Sequence, residues 1–312
     1  MRSAGWCPGI ALVVVLASGP ARAQLSGDLV PGTYGLTAGT APDVGLNVSL
    51  SVQEYYTTVL VGPGGSAVHS PDTYNALVIP ALSLWWVSPW KLLGGNFGAQ
   101  LSLQGTSSVT EYPRIDSRQH GYGFGDMWIQ PVGLSWHTTY ADVLTGFALY
   151  LPTGRYQPDG TDNTGQGQWG YELSAGATVW LDAGHHFNFA AIVLYDIYSP
   201  KQGTDGQLRT GSILTVQGAV GYQLLGGALN VGIPYSFQFK ITEDTLPQGF
   251  FPPDVLARLD AAKSWSAAVG LEVDYTWSAA DGIQLRWLQG FAGTNTTNGT
   301  SLLFFYSHQF SF

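Results

Sequence analysis

Residues 168–181 alternate, with Trp180 the one exception. Trp169, Tyr171, Leu173, Ala175, Ala177, Val179 and Leu181 form one set, and Gln168, Gly170, Glu172, Ser174, Gly176 and Thr178 form the other. Successive side chains on a β-strand point to opposite faces, so such a segment has one oily face and one wet face. The pattern returns at 229–242, where Leu229, Val231, Ile233, Tyr235, Phe237, Phe239 and Ile241 alternate with Asn230, Gly232, Pro234, Ser236, Gln238, Lys240 and Thr242. It returns again at 265–275, with Glu272 and Asp274 on the polar side. A chain built from such strands must bury the oily face in a soluble core or turn it toward lipid.

Composition decides between the two. Only 11% of the residues are charged, against about 25% in soluble globular proteins. Aromatics reach 13%, there are 41 glycines, and mean hydropathy is only +0.08. The wet face is Gly, Ser, Gln and Asn, where a soluble sandwich would show Lys, Glu and Arg. A helical membrane protein would need several long apolar runs. Residues 73–90 carry no charge, but Pro80 and Pro89 interrupt them as a helix. The expected fold is therefore all-β: a transmembrane antiparallel up-and-down β-barrel of outer-membrane type, closed so that no strand edge is left unpaired.

Alternating segments of membrane-crossing length begin near residues 44, 73, 95, 123, 140, 168, 186, 210, 228, 264, 282 and 300, giving about twelve strands. The connections at 88–94, 138–139, 182–185, 225–227 and 278–281 are short. Those at 60–71, 105–121, 152–167, 199–209, 243–263 and 293–299 are mostly longer and rich in Gly, Pro, Asp, Asn and Thr. Short and long connections alternate, as periplasmic turns and external loops do in these barrels, and an even strand count puts both ends in the periplasm.

The first segment reads as a leader. Arg2 supplies positive charge, residues 10–16 form a short apolar core, and Ala21-Arg22-Ala23 offers a cleavage site. The expected organisation is a signal peptide over 1–23, a periplasmic N-terminal tail over 24–43 and the barrel over 44–312. Cys7, the one cysteine, lies in the signal, so the mature chain would have no disulfide. It would carry 10 basic against 21 acidic residues, a net −11, which argues against a nucleic-acid partner. At the other end Leu302, Phe304, Tyr306, His308, Phe310 and Phe312 alternate to a terminal phenylalanine. That ending resembles the signal read by the barrel assembly machinery. Trp85, Trp86, Trp90, Trp180, Trp265, Trp277 and Trp287 fall mostly near strand ends, where aromatic girdles form.

Four segments carry a family resemblance: Pro89-Trp90-Lys91-Leu92-Leu93-Gly94, Gly123-Phe124-Gly125-Asp126, Pro131-Val132-Gly133-Leu134-Ser135-Trp136 and Leu151-Pro152-Thr153-Gly154-Arg155-Tyr156. In their order and spacing they resemble the outer-membrane family labelled for the MetA-pathway of phenol degradation. The resemblance implies a barrel that helps hydrophobic or aromatic compounds across the outer membrane, with outer-membrane lipid and those solutes as its partners. It supplies no cofactor and no catalytic residues to carry over.

Ionisable residues are scarce, so those on the wet face stand out as pore-lining candidates. Strand polarity puts Asp126, Glu172, Asp196 and Lys240 toward the external half, and Asp142, Glu272, Asp274 and Arg286 toward the periplasmic half. Asp274 and Arg286 are expected to neighbour each other across adjacent strands. Two readings stand open: a charged eyelet that filters solutes, or a salt-bridge network that rigidifies a narrow barrel. Arg155 would narrow the pore if its loop folded inward to meet Glu172 or Asp126; otherwise it is a solvated loop arginine. Pro252-Pro253-Asp254 followed by Val255, Leu256, Leu259 and Ala262 reads as a short helix in the longest external loop. Ser307 and His308 adjoin in sequence but point to opposite faces of a strand, so no nucleophile–base pair follows. His185-His186 lacks the partners of a metal site. The expected role is passive passage of small hydrophobic or aromatic solutes. The alternatives are an adhesive or structural barrel acting through its external loops and an outer-membrane hydrolase.

Overall fold

The computed structural model describes residues 27–62, 64–69, 74–112, 117–158, 160–246 and 263–311. The leader, Phe312 and the helix expected within 250–263 lie outside these residues, apart from Lys263. Among the described residues twelve strands form the wall: β1 (Gly45–Val61), β2 (Tyr74–Leu92), β3 (Gly95–Tyr112), β4 (Met127–His137), β5 (Ala141–Leu151), β6 (Gly170–Trp180), β7 (Phe187–Tyr198), β8 (Ile213–Leu224), β9 (Leu229–Lys240), β10 (Trp265–Thr276), β11 (Asp281–Thr294) and β12 (Thr296–Phe310). Each pairs antiparallel with its neighbour in sequence, and β12 returns to β1 from Leu46↔Phe310 to Val61↔Thr296, closing the barrel. No helix among the described residues is long and apolar enough to cross a membrane; the chain crosses with strands.

The pleat sorts the side chains as the alternation requires. On β6, Glu172 is 1% exposed and the adjacent Leu173 is 55% exposed. Leu50, Leu82, Val132, Phe147, Val193, Ile233, Leu271 and Phe304 likewise stand outward, where lipid would cover them.

Three connections expected to be loops contain strand, the first being 60–71, where Ala67–His69 pairs with Val59–Val61 of β1. Residues 105–112 continue β3 past the wall, and Ser117–Phe124 returns along them from Tyr112↔Ser117 to Gly105↔Phe124. Above the bilayer both faces of a hairpin are wet, so period two leaves no mark in its sequence. Residues 293–299 are likewise strand except for Asn295, which turns the chain tightly with a φ of 48°.

A larger correction concerns the segment expected in the periplasm. Its described part, 27–43, lies inside the barrel. Gly27 sits beside Ile213 and Tyr198 at the external ends of β8 and β7, and the segment runs down the lumen to Asp43. Leu36 is fully buried, and Ala38 and Ala41 nearly so. The cause is visible on β7, whose lumen face is Asn188, Ala190, Ile192, Leu194, Asp196 and Tyr198. Its three central residues are apolar, and the tail's Leu29, Tyr34 and Ala38 cover them, so their oily surface leaves water.

Candidate functional site

The site is the lumen, and the tail shapes it. Leu36 is the deepest anchor. A β-carbon at either Gly221 on β8 or Gly232 on β9 would collide with its Cδ2, and these two glycines are partners in register. They leave a socket that only a bare backbone provides. The tail backbone is then tied to the wall strand by strand. Tyr34 N donates to Gln217 Oε1 (2.9 Å), Leu36 N to Glu272 Oε2 (3.1 Å) and Gly39 N to Thr178 Oγ1 (3.1 Å). Asn188 Nδ2 donates to the Leu36 carbonyl (2.8 Å), and Arg286 Nη1 to those of Gly32 (2.7 Å) and Thr33 (3.0 Å). Gln53 Nε2 on β1 and Gln309 Nε2 on β12 donate to Pro31 O and Asp43 O, each at 3.1 Å. A coil has no ladder of its own, so these side chains satisfy the polar backbone it carries into the barrel.

Because the tail leans on β6–β12 and the rim of β1, space remains against β1–β5. It forms two cavities. The periplasmic one has a volume of about 270 Å³, with β1–β5 supplying most of its wall, and the external one about 660 Å³. Asp28, Leu29, Val30, Ile79, Gln104 and Tyr150 line both, so those residues stand between the cavities.

The ionisable candidates fall into separate groups. Glu272 and Arg286 are direct partners in register and form a buried ion pair. Asp274 stands opposite Gln284, so the neighbour expected for it across the strands belongs to Glu272 instead. Glu172 and Asp196 face each other across β6 and β7, both 1% exposed, and Tyr150 Oη donates to Glu172 Oε2 (2.9 Å). Lys240 forms a buried ion pair with Asp244 (2.8 Å). Asp142, at the periplasmic end of β5, pairs with His137 (2.9 Å).

Asp126 borders the external cavity and also anchors a loop, whereas Arg155 departs from the inward placement considered for it. Asp126 sits at a break between Phe124 and β4, where its carboxylate accepts from Gly154 N (2.9 Å) and Gln166 N (2.6 Å). Thr153 Oγ1 accepts from Met127 N (2.9 Å) and donates to Gly125 O (3.1 Å), and Thr164 Oγ1 donates to Phe124 O (2.7 Å). The loop thereby folds inward, and Asn163, Thr164, Gly165 and Gln166 border the external cavity. Arg155 does not follow. Its guanidinium pairs with Asp162 (3.0 Å) and donates to the Asp162 and Tyr122 carbonyls, and its side chain is 48% exposed. Acceptors within its own loop capture it before it can reach Asp126 or Glu172.

These contacts join the four motif segments in two pairs. Gly123-Phe124-Gly125-Asp126 and Leu151-Pro152-Thr153-Gly154-Arg155-Tyr156 are the two halves of that external clasp. At the other end Trp136 Nε1 donates to Leu93 O (3.2 Å), joining the remaining two segments at the periplasmic rim. A further rim turn is set by Asp182, whose carboxylate accepts from Phe187 N (2.7 Å) and Gly184 N (3.1 Å) and meets His186 Nδ1 (2.9 Å). The Phe187 amide, with help from His186, holds the Asp182 carboxyl down at about 2.

Sequence reasoning missed the tail residues Leu29, Tyr34 and Leu36 and the socket glycines Gly221 and Gly232. A signal was present: Ala190, Ile192 and Leu194 put apolar side chains on a face that should be wet, and such a face requires a cover.

Comparison with known proteins adds to this geometry. A sequence model of the family described as "Putative MetA-pathway of phenol degradation" matches residues 57–305. No curated protein sequence matches the chain. Among solved structures, the COG4313 outer membrane channel from Pseudomonas putida F1 is similar with a TM-score of 0.73 at 16% identity, over 91% of this chain and 100% of that one. The transport unit of the autotransporter AIDA-I from Escherichia coli is similar with a TM-score of 0.52 at 8% identity, over 97% of each chain. At such identities the likeness is one of fold, and the fold is that of an outer-membrane barrel.

Proposed function

Taking as premise that this chain belongs to the phenol-degradation outer-membrane family, whose model covers most of its length, we propose that it is a bacterial outer-membrane channel for passive passage of small hydrophobic or aromatic solutes. One observation carries the reading. The tail fills one side of the lumen and leaves two cavities on the other, with one shared set of six residues between them. The wall of the periplasmic one mixes apolar and aromatic groups, such as Leu29, Leu144 and Trp128, with the neutral amides and hydroxyls of Gln100, Ser102 and Gln130. Such a wall suits a weakly polar solute that needs to shed little water.

Passage of this kind involves no bond-making, so we read the barrel as a non-enzyme. His137, His186 and His308 each pair with an aspartate at a strand end or turn on the periplasmic side. In this reading Asp126, Glu172, Asp196, Lys240, Glu272, Asp274 and Arg286 chiefly hold the wall and tail in place. The partners are outer-membrane lipid, the solutes, and the assembly machinery that would read Phe312.

The test is the initial uptake of dilute aromatic and polar solutes by intact cells with and without the protein. Faster uptake of aromatics alone supports a selective conduit, and faster uptake of everything means a general pore. A second reading draws on Tyr122 and Phe124, which stand 81% and 84% exposed on the external hairpin arm: adhesion through the loops. Unchanged uptake of every solute would overturn the channel and favour that alternative, which trimming the loops would then test.

A further inference from the structure

The boundary between the cavities has a definite chemistry. Leu29 and Val30 of the tail face Ile79 of β2 and Tyr150 of β5, with the Asp28 carboxyl and the Gln104 amide beside them. Any solute moving between the cavities passes this apolar ring, where an ion would lose water without recompense. Among the described residues that line either cavity, the Lys and Arg side chains are Arg286 and Lys240. Each is already engaged in a buried ion pair, with Glu272 and Asp244 respectively. An anion therefore meets Asp28 and Asp126 on the path, while Lys201, which acts on both carboxylates from outside the lining, is held by the Gln166 carbonyl (2.6 Å).

Neutral polar groups are treated differently. The side-chain amides of Gln100 and Gln130 border the periplasmic cavity, and that of Gln104 borders both. Each can donate and accept, and none is hydrogen-bonded to another described residue. They offer partners to a hydroxyl group on a solute whose ring lies against Trp128 and Leu144. Size adds a limit: an apolar cavity of about 150 Å³ holds benzene, so about 270 Å³ accommodates a substituted single ring and not a large fused system.

Resting on the channel reading, we infer that the neck formed by Asp28, Leu29, Val30, Ile79, Gln104 and Tyr150 is a filter that passes uncharged single-ring aromatics and turns back aromatic carboxylates and large fused rings. Leu29 sets the aperture, and the Asp28 and Asp126 carboxylates that border the path set the charge preference.

The experiment uses intact cells making the full-length chain and measures initial uptake of phenol, benzoate and 1-hydroxypyrene against cells lacking it. Barrel folding is verified for every variant by heat-modifiable gel mobility. The wild type should accelerate phenol about tenfold more than benzoate or hydroxypyrene. Leu29→Trp should cut the phenol gain, Leu29→Ala should admit hydroxypyrene, and Asp28→Lys should raise benzoate uptake about tenfold by replacing a carboxylate of the neck with a cation. If the wild type accelerates benzoate as much as phenol, or if folded Leu29 and Asp28 variants leave both ratios unchanged, the filter is refuted while the channel stands. If no solute is accelerated, the channel and the filter fail together.

Discussion

The side chain of Leu36 occupies the space that a β-carbon on Gly221 would need, 185 residues further along the chain. This one contact makes the seating of the tail sensitive to a single methyl group on the wall. Gly221→Val should expel Leu36 from its socket while β8 keeps its register, because valine is at home in a strand. Leu36→Ala should weaken seating by about 2–5 kcal/mol, the usual cost of emptying a buried leucine site. Both variants should raise single-channel conductance in planar bilayers; conductance equal to wild type would mean that the tail does not depend on this socket.

The Glu272–Arg286 pair should be unequal to the sum of its halves. Glu272→Leu alone strands the arginine charge in a buried place and should cost about 3–5 kcal/mol. Replacing both, as Glu272→Leu with Arg286→Met, should cost less, although Gly32 O and Thr33 O then lose their donor. Urea unfolding in lipid vesicles, followed by tryptophan fluorescence, compares the two. A double variant less stable than the single one would show that the contacts to the tail outweigh the pair itself.

Asp126 holds the external loop by accepting two backbone N–H groups. Asp126→Ala leaves both without their acceptor, at about 1–3 kcal/mol each if they stay buried. Residues 153–166 should then loosen, and trypsin added to intact cells should cut after Arg155 faster than in the wild type. An unchanged cutting rate would place the hold in Thr153 and Thr164 instead.

Arg155 is predicted to matter little for ion preference. Its partners lie on the exposed external surface, and an exposed pair of this sort contributes about 0–1 kcal/mol. Arg155→Ala should leave the reversal potential in a salt gradient where the wild type has it. A clear shift would show that the guanidinium reaches the pore in the membrane after all.

The periplasmic turn at Asp182 should respond to acid. Its carboxyl is lowered from 3.8 to about 2 in the folded turn. The interaction therefore contributes fully above about pH 4 and is lost as pH falls toward 2. Protection of the Phe187 amide, its exchange rate taken relative to that of an unstructured peptide at the same pH, should fall over that interval, and Asp182→Asn should flatten the response. Protection that stays constant from pH 5 to pH 2 would show that the turn is held by something other than this carboxylate.

The wall was legible because each strand writes its own environment. Leu173 and Glu172 differ by one position and by face, and a reader needs nothing beyond β6 to sort them. The tail was not legible for the opposite reason. Residues 27–43 have no period, and the Gly32, Gly35 and Gly39 spacing reads as loop until the surfaces they approach are known. Those surfaces are distributed over strands that come together only when the barrel closes. Arg155 illustrates the same limit at shorter range: that its loop turns inward was foreseeable, but which acceptor its guanidinium would find depended on where Asp162 fell. Glu272 and Asp274 differ by two positions on one face, and only the hairpin register decides which of them meets Arg286.

The tail also bears on the order in which the molecule is made. It precedes every strand, yet its ties reach β1 through Gln53, β11 through Arg286 and β12 through Gln309. Those strands flank or form the seam where the first and last strands meet. The segment is thus stitched to both lips of the joint, and sealing the cylinder and lodging its contents become one event. A barrel that closed empty would face the task of threading a coil, leucine first, into a socket already walled off; a barrel that wraps around its own beginning never meets it.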